Sequence, residues 1–398
     1  MRSESTDILI IGAGPAGLIS ACEALKIGGA EIIIVEEHEQ IGIPCHCAGL
    51  LSISGLQRIG LSETGDYIQN SIRGARFFSP SGLSFQIERD EPIAYVIERS
   101  MFDEYLATKA RNSGAHIYLG VKVNSIQREG GESLAYYDEG FIRAKVVIDA
   151  GGTSSLMLRL SGLETLNIDD LIPGIQMDLG GIDVEPEYVE IHVSKKIAPS
   201  FFAWVIPLTR KVARVGLACK GGNPKLYLER FVEKRFGDLR NLEVIKTRSG
   251  RVVTCGPIKK TYDDGLLIVG DAAGQVKPTT GGGVILGGIC ARIAGRVAVE
   301  AVNRGDFSGE YLRVYEELWR REVGKELSIG YAARRVLNHL SDEVIDKIFK
   351  IIAEDETLQE LISAEGDMDF QSKILWKIAA RREILSILSS AIRSIIHF

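Results

Sequence analysis

The chain has 398 residues, 45% hydrophobic and 25% charged, a globular mix whose length calls for two domains or one domain with an insertion. A net charge of −6 gives no electrostatic reason to expect nucleic acid as a partner. No apolar run reaches the ~18–20 residues of a spanning helix and no signal-peptide pattern opens the chain, so the expected setting is cytoplasmic, with at most peripheral contact on the inner membrane face, and the six cysteines are expected as free thiols.

Residues 7–11, DILII, read as a buried strand. A glycine-rich turn follows, then GLISACEALKIGG, a helix closed by glycines, and EIIIVE (31–36), a second strand. Residues 101–112, MFDEYLATKARN, predict an amphipathic helix with Ser100 as N-cap. Strand patterns recur in HIYLGVKVNSIQRE, SLAYYDE and AKVVIDAGG (144–152). From about 165 to 260 the texture is that of a mostly antiparallel sheet, with QMDLGGI, EYVEIHVS, SFFAWVIPLT and VARVGLACK as strands. GLLIVGD (265–271) returns to a parallel-strand pattern, and everything after about 307 reads as helical. The expected class is α/β: a Rossmann-like nucleotide domain of residues 1–165 and 261–306, a β-rich insertion of 166–260 joined by part of 65–98, and a helical region of 307–398.

IIGAGPAGL places Gly12, Gly14 and Gly17 between a strand and a helix, the context a dinucleotide fingerprint requires. The first glycine permits the tight turn, the second lets backbone approach a pyrophosphate, and the third lets helix and strand pack. The helix N-terminus then faces the anion. Glu36 ends the next strand, where a carboxylate accepts from a ribose. Candidate cofactor contacts here are Gly12, Gly14, Pro15, Ala16, Gly17, Glu36 and Glu37, and Pro15 favours FAD over NAD.

The segment GLLIVGDAAGQVKPTTGGGVILGGICARIAG (265–295) resembles the second FAD fingerprint of the aromatic-hydroxylase flavoprotein superfamily. That resemblance implies FAD as cofactor, Gly270 and Asp271 at the ribityl chain, and the helix after Gly281-Gly282-Gly283 aimed at the isoalloxazine, where its partial positive charge favours the anionic reduced ring. It further implies cofactor contacts from Arg99, from Ala150 and Gly151, and from position 122 within Val121-Lys122-Val123. A solvated surface arginine is the other reading of Arg99. The superfamily's Asp-Gly motif is imperfect here, since Asp149 precedes Ala150-Gly151-Gly152.

Two stretches resemble the archaeal geranylgeranyl reductase family: Pro44-x-x-Cys47-Ala48-Gly49-Leu50, and Pro199-x-x-Phe202-x-Trp204-x-x-Pro207. The resemblance implies saturation of isoprenoid chains of membrane lipids, with Pro199, Phe202, Trp204 and Pro207 at the lipid, and Cys47, Ala48 and Gly49 near the flavin. Phe202 and Ile206 stand where the family has tyrosine and phenylalanine, so no hydroxyl is offered there. An isolated alkene is not polarised, so hydride needs a proton on the other carbon. Cys47, His46 and Trp204 are the catalytic candidates, Trp204 offering a π-face to developing positive charge. Core packing is the competing reading for Phe202, Trp204 and Cys47, and a solvent-facing ring for His46. No further ligands accompany Cys45-His46-Cys47 at zinc-site spacing, so no metal is expected, and i, i+2 cysteines in extended chain bridge poorly.

No second glycine fingerprint offers a nicotinamide site, so electrons are expected from an external donor: NADPH, a deazaflavin or ferredoxin. In residues 371–398, Ile374, Ile378, Leu385, Leu388, Ile392 and Ile395 recur at helical spacing beside Lys373, Lys377, Arg381, Arg382 and Arg393. That pattern suits either a helix lying on anionic lipid or one docked on the protein's own core. The competing functions are a single-component FAD monooxygenase acting on an aromatic or polyprenyl substrate, an electron-transfer flavoprotein reducing a quinone, whose usual cysteine-bound iron–sulfur cluster this chain lacks, and a flavin-binding redox sensor.

Overall fold

The computed structural model describes residues 2–61, 64–154 and 162–396, with the side chains of Arg2, Ser154 and residues 390–396 outside the description. The chain opens with β1 (Arg2–Ile11), α1 (Pro15–Ile27) and β2 (Ile32–Glu36). The short β3 (Leu50–Ser52) and α2 (Ile53–Arg58) precede β4 (Ile68–Ile72), β5 (Gly74–Phe78), β6 (Ser84–Glu88) and β7 (Ala94–Ile97). Next come α3 (Arg99–Asn112), β8 (His116–Leu119), β9 (Ser125–Glu129), β10 (Glu132–Tyr137) and β11 (Gly140–Asp149). The middle of the chain holds β12 (Leu171–Gly180), β13 (Tyr188–His192), β14 (Ala203–Pro207), β15 (Val212–Ala218), α4 (Pro224–Phe236) and β16 (Glu243–Val253). β17 (Tyr262–Asp263), β18 (Leu266–Ile268) and α5 (Val284–Arg304) follow. The rest is helical: α6 (Gly309–Trp319), α7 (Lys325–His339), α8 (Asp342–Glu354), α9 (Glu356–Glu365), α10 (Ser372–Ala379) and α11 (Arg382–Ile396).

The first sheet runs β17-β18-β11-β1-β2-β8, with β1 parallel to both β2 and β11 and with β10 and β9 added on β11. Ile8 and Ile10 pack toward α1, α3 and α5, while Leu9 packs on the opposite face with Ile142 and Val147. A strand buried on both faces must be apolar throughout, which is why DILII and IIIVE show no alternation. Helix α5 approaches α1 so closely that a Cβ on Gly295 would collide with the Ser20 carbonyl. Large side chains there would push the helices off the sheet.

The second sheet runs β16-β12-β15-β14-β13-β5-β6, antiparallel except for the β13–β5 pair. Residues 74–88 thus join a sheet whose other strands lie after residue 170. Period-two alternation divides its faces. Ala203 and Val205 of β14 point to α4, against Leu228, Phe231 and Val232, while Trp204 and Ile206 point the other way.

Three local expectations change. Ser100 lies inside α3; the N-cap is Glu98, and Ser100 Oγ donates to the Glu98 carboxylate at 3.2 Å. A helix, α4, capped by Asn223 at Lys225 N–H, interrupts the stretch expected as sheet. The C-terminal stripe is divided: Ile374 is buried and Ile378 and Leu388 pack on the α8–α9 cluster, while Trp376 (73% exposed) and Leu385 (54%) face outward. Lys373 and Lys377 pair with Glu365, and Arg381 lies 3.7 Å from Asp355. The side chains of Ile392, Arg393 and Ile395 lie outside the described residues.

Candidate active site

A cavity of about 930 Å³ lies where the C-terminal ends of β1, β2 and β11 meet the inner face of the second sheet. At its floor the glycines do separate work. Gly12 has φ +99°, and a Cβ there would sit 2.5 Å from the Ala150 carbonyl oxygen. A Cβ on Gly17 would strike the Gly12 carbonyl, so helix and strand meet only without a side chain there. Around a Cβ on Gly14 nothing lies within 4 Å, so the backbone there opens to the cavity. No side chain caps α1, whose first N–H groups are left for a ligand, with Pro15 and Ala16 on the wall. Glu36 accepts from Ala13 N–H at 2.8 Å and from His38 Nδ1 at 2.5 Å, which fixes its carboxylate at the cavity edge.

The second helix N-terminus enters the same space. Gly283 precedes α5 with no side-chain cap, Gly281 has φ +71°, and Gly281, Gly282 and Gly283 all line the cavity. Gly270 and Asp271 stand beside them. Asp271 meets solvent through the cavity while protein surrounds it; burial pushes its carboxyl up and the Arg99 charge pulls the other way. Arg99 forms a two-point pair with Asp103, Nε to Oδ1 at 3.0 Å and Nη2 to Oδ2 at 2.9 Å. Burial opposes the Arg99 charge, and the Asp103 carboxylate outweighs it, so this cation is fixed on the wall rather than solvated outside. Asp149 accepts from Gly151 N–H at 3.0 Å and holds the Ala150-Gly151 turn under Gly12.

Two uncapped helix ends, an open Gly14 and a carboxylate at the end of β2, all around one space, are what a dinucleotide flavin requires. The residues therefore fit FAD. Position 122 is Lys122, whose ammonium pairs with Glu37 at 2.9 Å in an exposed bridge, and Val121, Lys122 and Val123 all line the cavity.

The segment 43–50 forms a further wall, beginning with a cis Ile43–Pro44 peptide. It is held by the second sheet: Gln176 Nε2 donates to the Cys47 carbonyl at 2.9 Å and Arg214 Nη1 to the Ala48 carbonyl at 2.7 Å. Gly49 has φ +74°, and a Cβ there would sit 2.8 Å from Arg214 Nη1. Gly49 N–H donates to Cys47 Sγ at 3.4 Å. Cys45 and Cys47 are free thiols on the wall; burial raises the Cys45 thiol, with Arg99 opposing. His46 is exposed and lines the mouth, its Cβ packed against Gly250.

Trp204, Ile206, Val189, Ile191 and Ile72 form the apolar end of the cavity. Gly216 makes room for the indole, since a Cβ there would lie 2.6 Å from Trp204 Cζ2. Phe202 meets Trp204 edge-on at 6.0 Å and stacks on Phe201 at 4.3 Å. Trp204 Nε1 is buried without a partner among the described residues. Pro199 and Pro207 stand off the cavity: Pro199 accepts from Lys220 N–H at the turn before β14, and Pro207 ends that strand with its carbonyl on Asn70.

Several lining residues carried no sequence signal. Met368 and Gln371 arrive from the loop between α9 and α10, and Lys277 ties that loop down through Asp369 at 2.7 Å and the Met368 carbonyl at 2.8 Å. Lys277 lies within the second glycine segment and was open to suspicion; nothing in residues 366–371 marks them. Phe201 was legible only as the neighbour of Phe202.

The chain matches the family model described as Geranylgeranyl reductase catalytic domain over residues 170–252, and that described as FAD dependent oxidoreductase over residues 7–166. It is 36% identical to digeranylgeranylglycerophospholipid reductase 2 of Methanothermobacter thermautotrophicus, over 86% of this chain and 91% of the relative. Against the digeranylgeranylglycerophospholipid reductase of Methanocaldococcus jannaschii the identity is 32%, over 87% and 90%. Among solved structures, a geranylgeranyl bacteriochlorophyll reductase-like protein from Thermoplasma acidophilum aligns with TM-score 0.86 at 27% identity, over 98% of this chain and all of that one. A flavin-dependent brominase at 19% identity and TM-score 0.72 shares the fold alone. On this likeness along most of its length, the chain belongs to the digeranylgeranylglycerophospholipid reductase family of FAD-dependent oxidoreductases.

Proposed function

We propose that this enzyme saturates isolated C=C bonds in the geranylgeranyl chains of archaeal membrane-lipid precursors. The observation that carries this reading is one continuous cavity joining two uncapped helix N-termini to an aromatic wall at Phe202 and Trp204. Bound FAD supplies the hydride. The protein's part is binding, orientation, water exclusion and a proton. In this reading the α1 N-terminus and Gly14 hold the pyrophosphate, Glu36 the ribose and Asp271 the ribityl chain. Arg99 with Ala150, Gly151, Gly281, Gly282 and Gly283 frame the flavin ring. Trp204, Phe202 and Ile206 pack the isoprenyl chain, and the two aromatic rings turn π-faces to positive charge growing on carbon. Cys47 Sγ is the proton-bearing atom, fixed through its own carbonyl by Gln176 and through Ala48 by Arg214.

Electrons arrive from an external donor, NADPH, a deazaflavin or ferredoxin. No helix among the described residues is long and apolar enough to cross a membrane. A lipid substrate then requires surface contact, and Trp376 with Leu385 is the exposed apolar pair on the C-terminal helices that suits it.

The test is anaerobic. Reduce the purified flavoprotein with dithionite, add digeranylgeranyl lipid, and follow flavin reoxidation together with the lipid's mass. Reoxidation with two hydrogens gained per bond is expected. Reoxidation by oxygen alone, with hydroxylated product, points instead to a monooxygenase.

A further inference from the structure

Next to the large cavity lies a second of about 170 Å³, and Phe201 and Phe202 belong to the walls of both. Its lining is mainly apolar, with Ile345, Ile348 and Phe349 of α8 and Leu340 before it. Arg334 of α7 sits in this wall at 5% exposure. Its guanidinium lies 4.3 Å over the Phe201 ring, Nη2 donates to the Ser200 carbonyl, and Nε is buried without a partner. No carboxylate pairs with it among the described residues. Burial draws its pKa down to about 10, so it stays cationic at neutral pH.

A buried cation without a counter-ion is a liability that proteins rarely keep. Holding the Ser200 turn, where φ is +63°, uses one N–H and leaves the others. The polar residues on this wall are few: Ser194 and Thr279, whose hydroxyls donate to Asp342 and Gln371, with Ser200 and Asn338, so Arg334 inside and the exposed Lys195 at the mouth are the groups that would meet an anion. The carboxylate that touches this wall, Asp342, accepts from Ser194 Oγ at 3.2 Å and Lys195 N–H at 2.9 Å, and is not among the lining side chains. Guanidinium matches phosphate by parallel hydrogen bonds, and apolar walls suit the carbons around it.

We propose that this second cavity binds the phosphate of the glycerophospholipid substrate, with Arg334 as its counter-ion and Lys195 at the mouth, while the isoprenyl chains pass Phe201 and Phe202 into the flavin cavity. The assignment rests on the reductase reading above. It explains why two cavities share one pair of rings: the headgroup is held apart from the reacting chain.

Calorimetric binding in detergent to the full-length, FAD-loaded protein tests it, using a saturated diether glycerophosphate, the phosphate-free diether glycerol, and inorganic phosphate. Wild type should prefer the phosphate-bearing lipid by about ten-fold or more, the worth of hydrogen bonds to a charged group. Arg334→Gln should bring the ratio near one and Arg334→Lys should fall between. Lys195→Glu, at an exposed position where folding is not at risk, should lower the ratio several-fold. An undiminished ratio in Arg334→Gln overturns the proposal, and if that variant fails to retain FAD, an undiminished ratio in Lys195→Glu does so. Equal affinity of wild type for both lipids overturns it too; inorganic phosphate binding that is lost in Arg334→Gln would then assign the site to free phosphate. Turnover of neutral digeranylgeranylglycerol separates the two readings. Its reduction without any headgroup preference removes the phosphate site and leaves the reductase standing. Preference without reduction of either unsaturated lipid supports the phosphate site and removes the reductase.

Discussion

Arg214 Nη1 donates to the Ala48 carbonyl at 2.7 Å, so a strand of the second sheet holds the backbone of the cysteine segment directly. The same guanidinium meets Asp178 at 3.0 Å, Asp178 meets Arg248 at 2.7 Å, and Arg248 reaches Glu98, the N-cap of α3, at 3.2 Å. Removing one member of such a buried set strands its partners. Arg214→Met should cost about 3–5 kcal/mol by urea unfolding, against the ~0.5 kcal/mol of an ordinary surface change. Arg214→Lys should recover less than half, because one ammonium does not span Asp178 and the Ala48 carbonyl together. Wild-type stability in Arg214→Met would show that the network carries nothing.

Cys47→Ser should keep its FAD spectrum and lose about 100-fold or more in alkene turnover, the low end of the usual worth of a positioned acid. A hydroxyl keeps the polar contact to Gly49 N–H but yields its proton far less readily. Full activity would return Cys47 to ordinary packing.

Gly14 and Gly17 should fail differently. Gly14 has φ −76°, which any residue adopts, and opens to the cavity. Gly14→Val should leave the melting temperature of the apoprotein near wild type and weaken FAD binding at least about ten-fold by occupying the pyrophosphate's place. Gly17→Ala forces helix from strand and should destabilise the apoprotein itself by about 1–3 kcal/mol. Equal apoprotein stability in the two variants would contradict this division.

Glu190 makes part of the acid response predictable. Burial pushes its carboxyl up, but Arg235 at 2.6 Å and His192 at 2.9 Å outweigh it and bring the pKa to about 2 from 4.5. A depressed folded pKa means stability that is present above the unfolded value and lost as pH falls toward the folded one. The shift is on the order of 3 kcal/mol, lost between about pH 5 and pH 2. Arg235→Met should flatten the stability profile in that window. An unchanged slope would rule out the pair as its source.

Much was legible from single residues. The α/β class, the βαβ unit and the glycine fingerprints are local signals, each backed by the conformation it demands. Trp204 and Phe202 stand out through the family resemblance of Pro199-x-x-Phe202-x-Trp204-x-x-Pro207, and the alternation of β14 turns Trp204 to the cavity side. Other parts were not. Helix α4 sits among strands without strong periodicity, and its amphipathic face shows only against Val205 and Val215. Met368 and Gln371 reach the cavity through long-range docking, with Lys277 and Asp369 as the tie, which no local pattern encodes. The C-terminal stripe looked uniform in sequence, yet packing uses Ile374, Ile378 and Leu388 and leaves Trp376 outside.

That division also changes the membrane experiment. Removing residues 371–398 would strip Ile374 and Ile384 from the core, so loss of liposome binding would be uninformative. Trp376→Glu alters an exposed ring and should lower binding to anionic liposomes several-fold with the melting temperature within a degree or so of wild type. Undiminished liposome binding would discard this face as the contact.

The parallel β13–β5 pair carries a lesson for anyone grafting substrate preference between relatives. Residues 170–252 look like a self-contained cassette, but transplanted alone they would arrive without β5 and β6, leaving β13 with a bare edge and no Phe77 on the cavity wall. Their polar groups Asp178, Arg214 and Arg248 would also face a foreign Glu98 and a foreign cysteine segment. The smallest exchangeable part is therefore discontinuous: residues 43–50, 74–98 and 170–252 have to travel together.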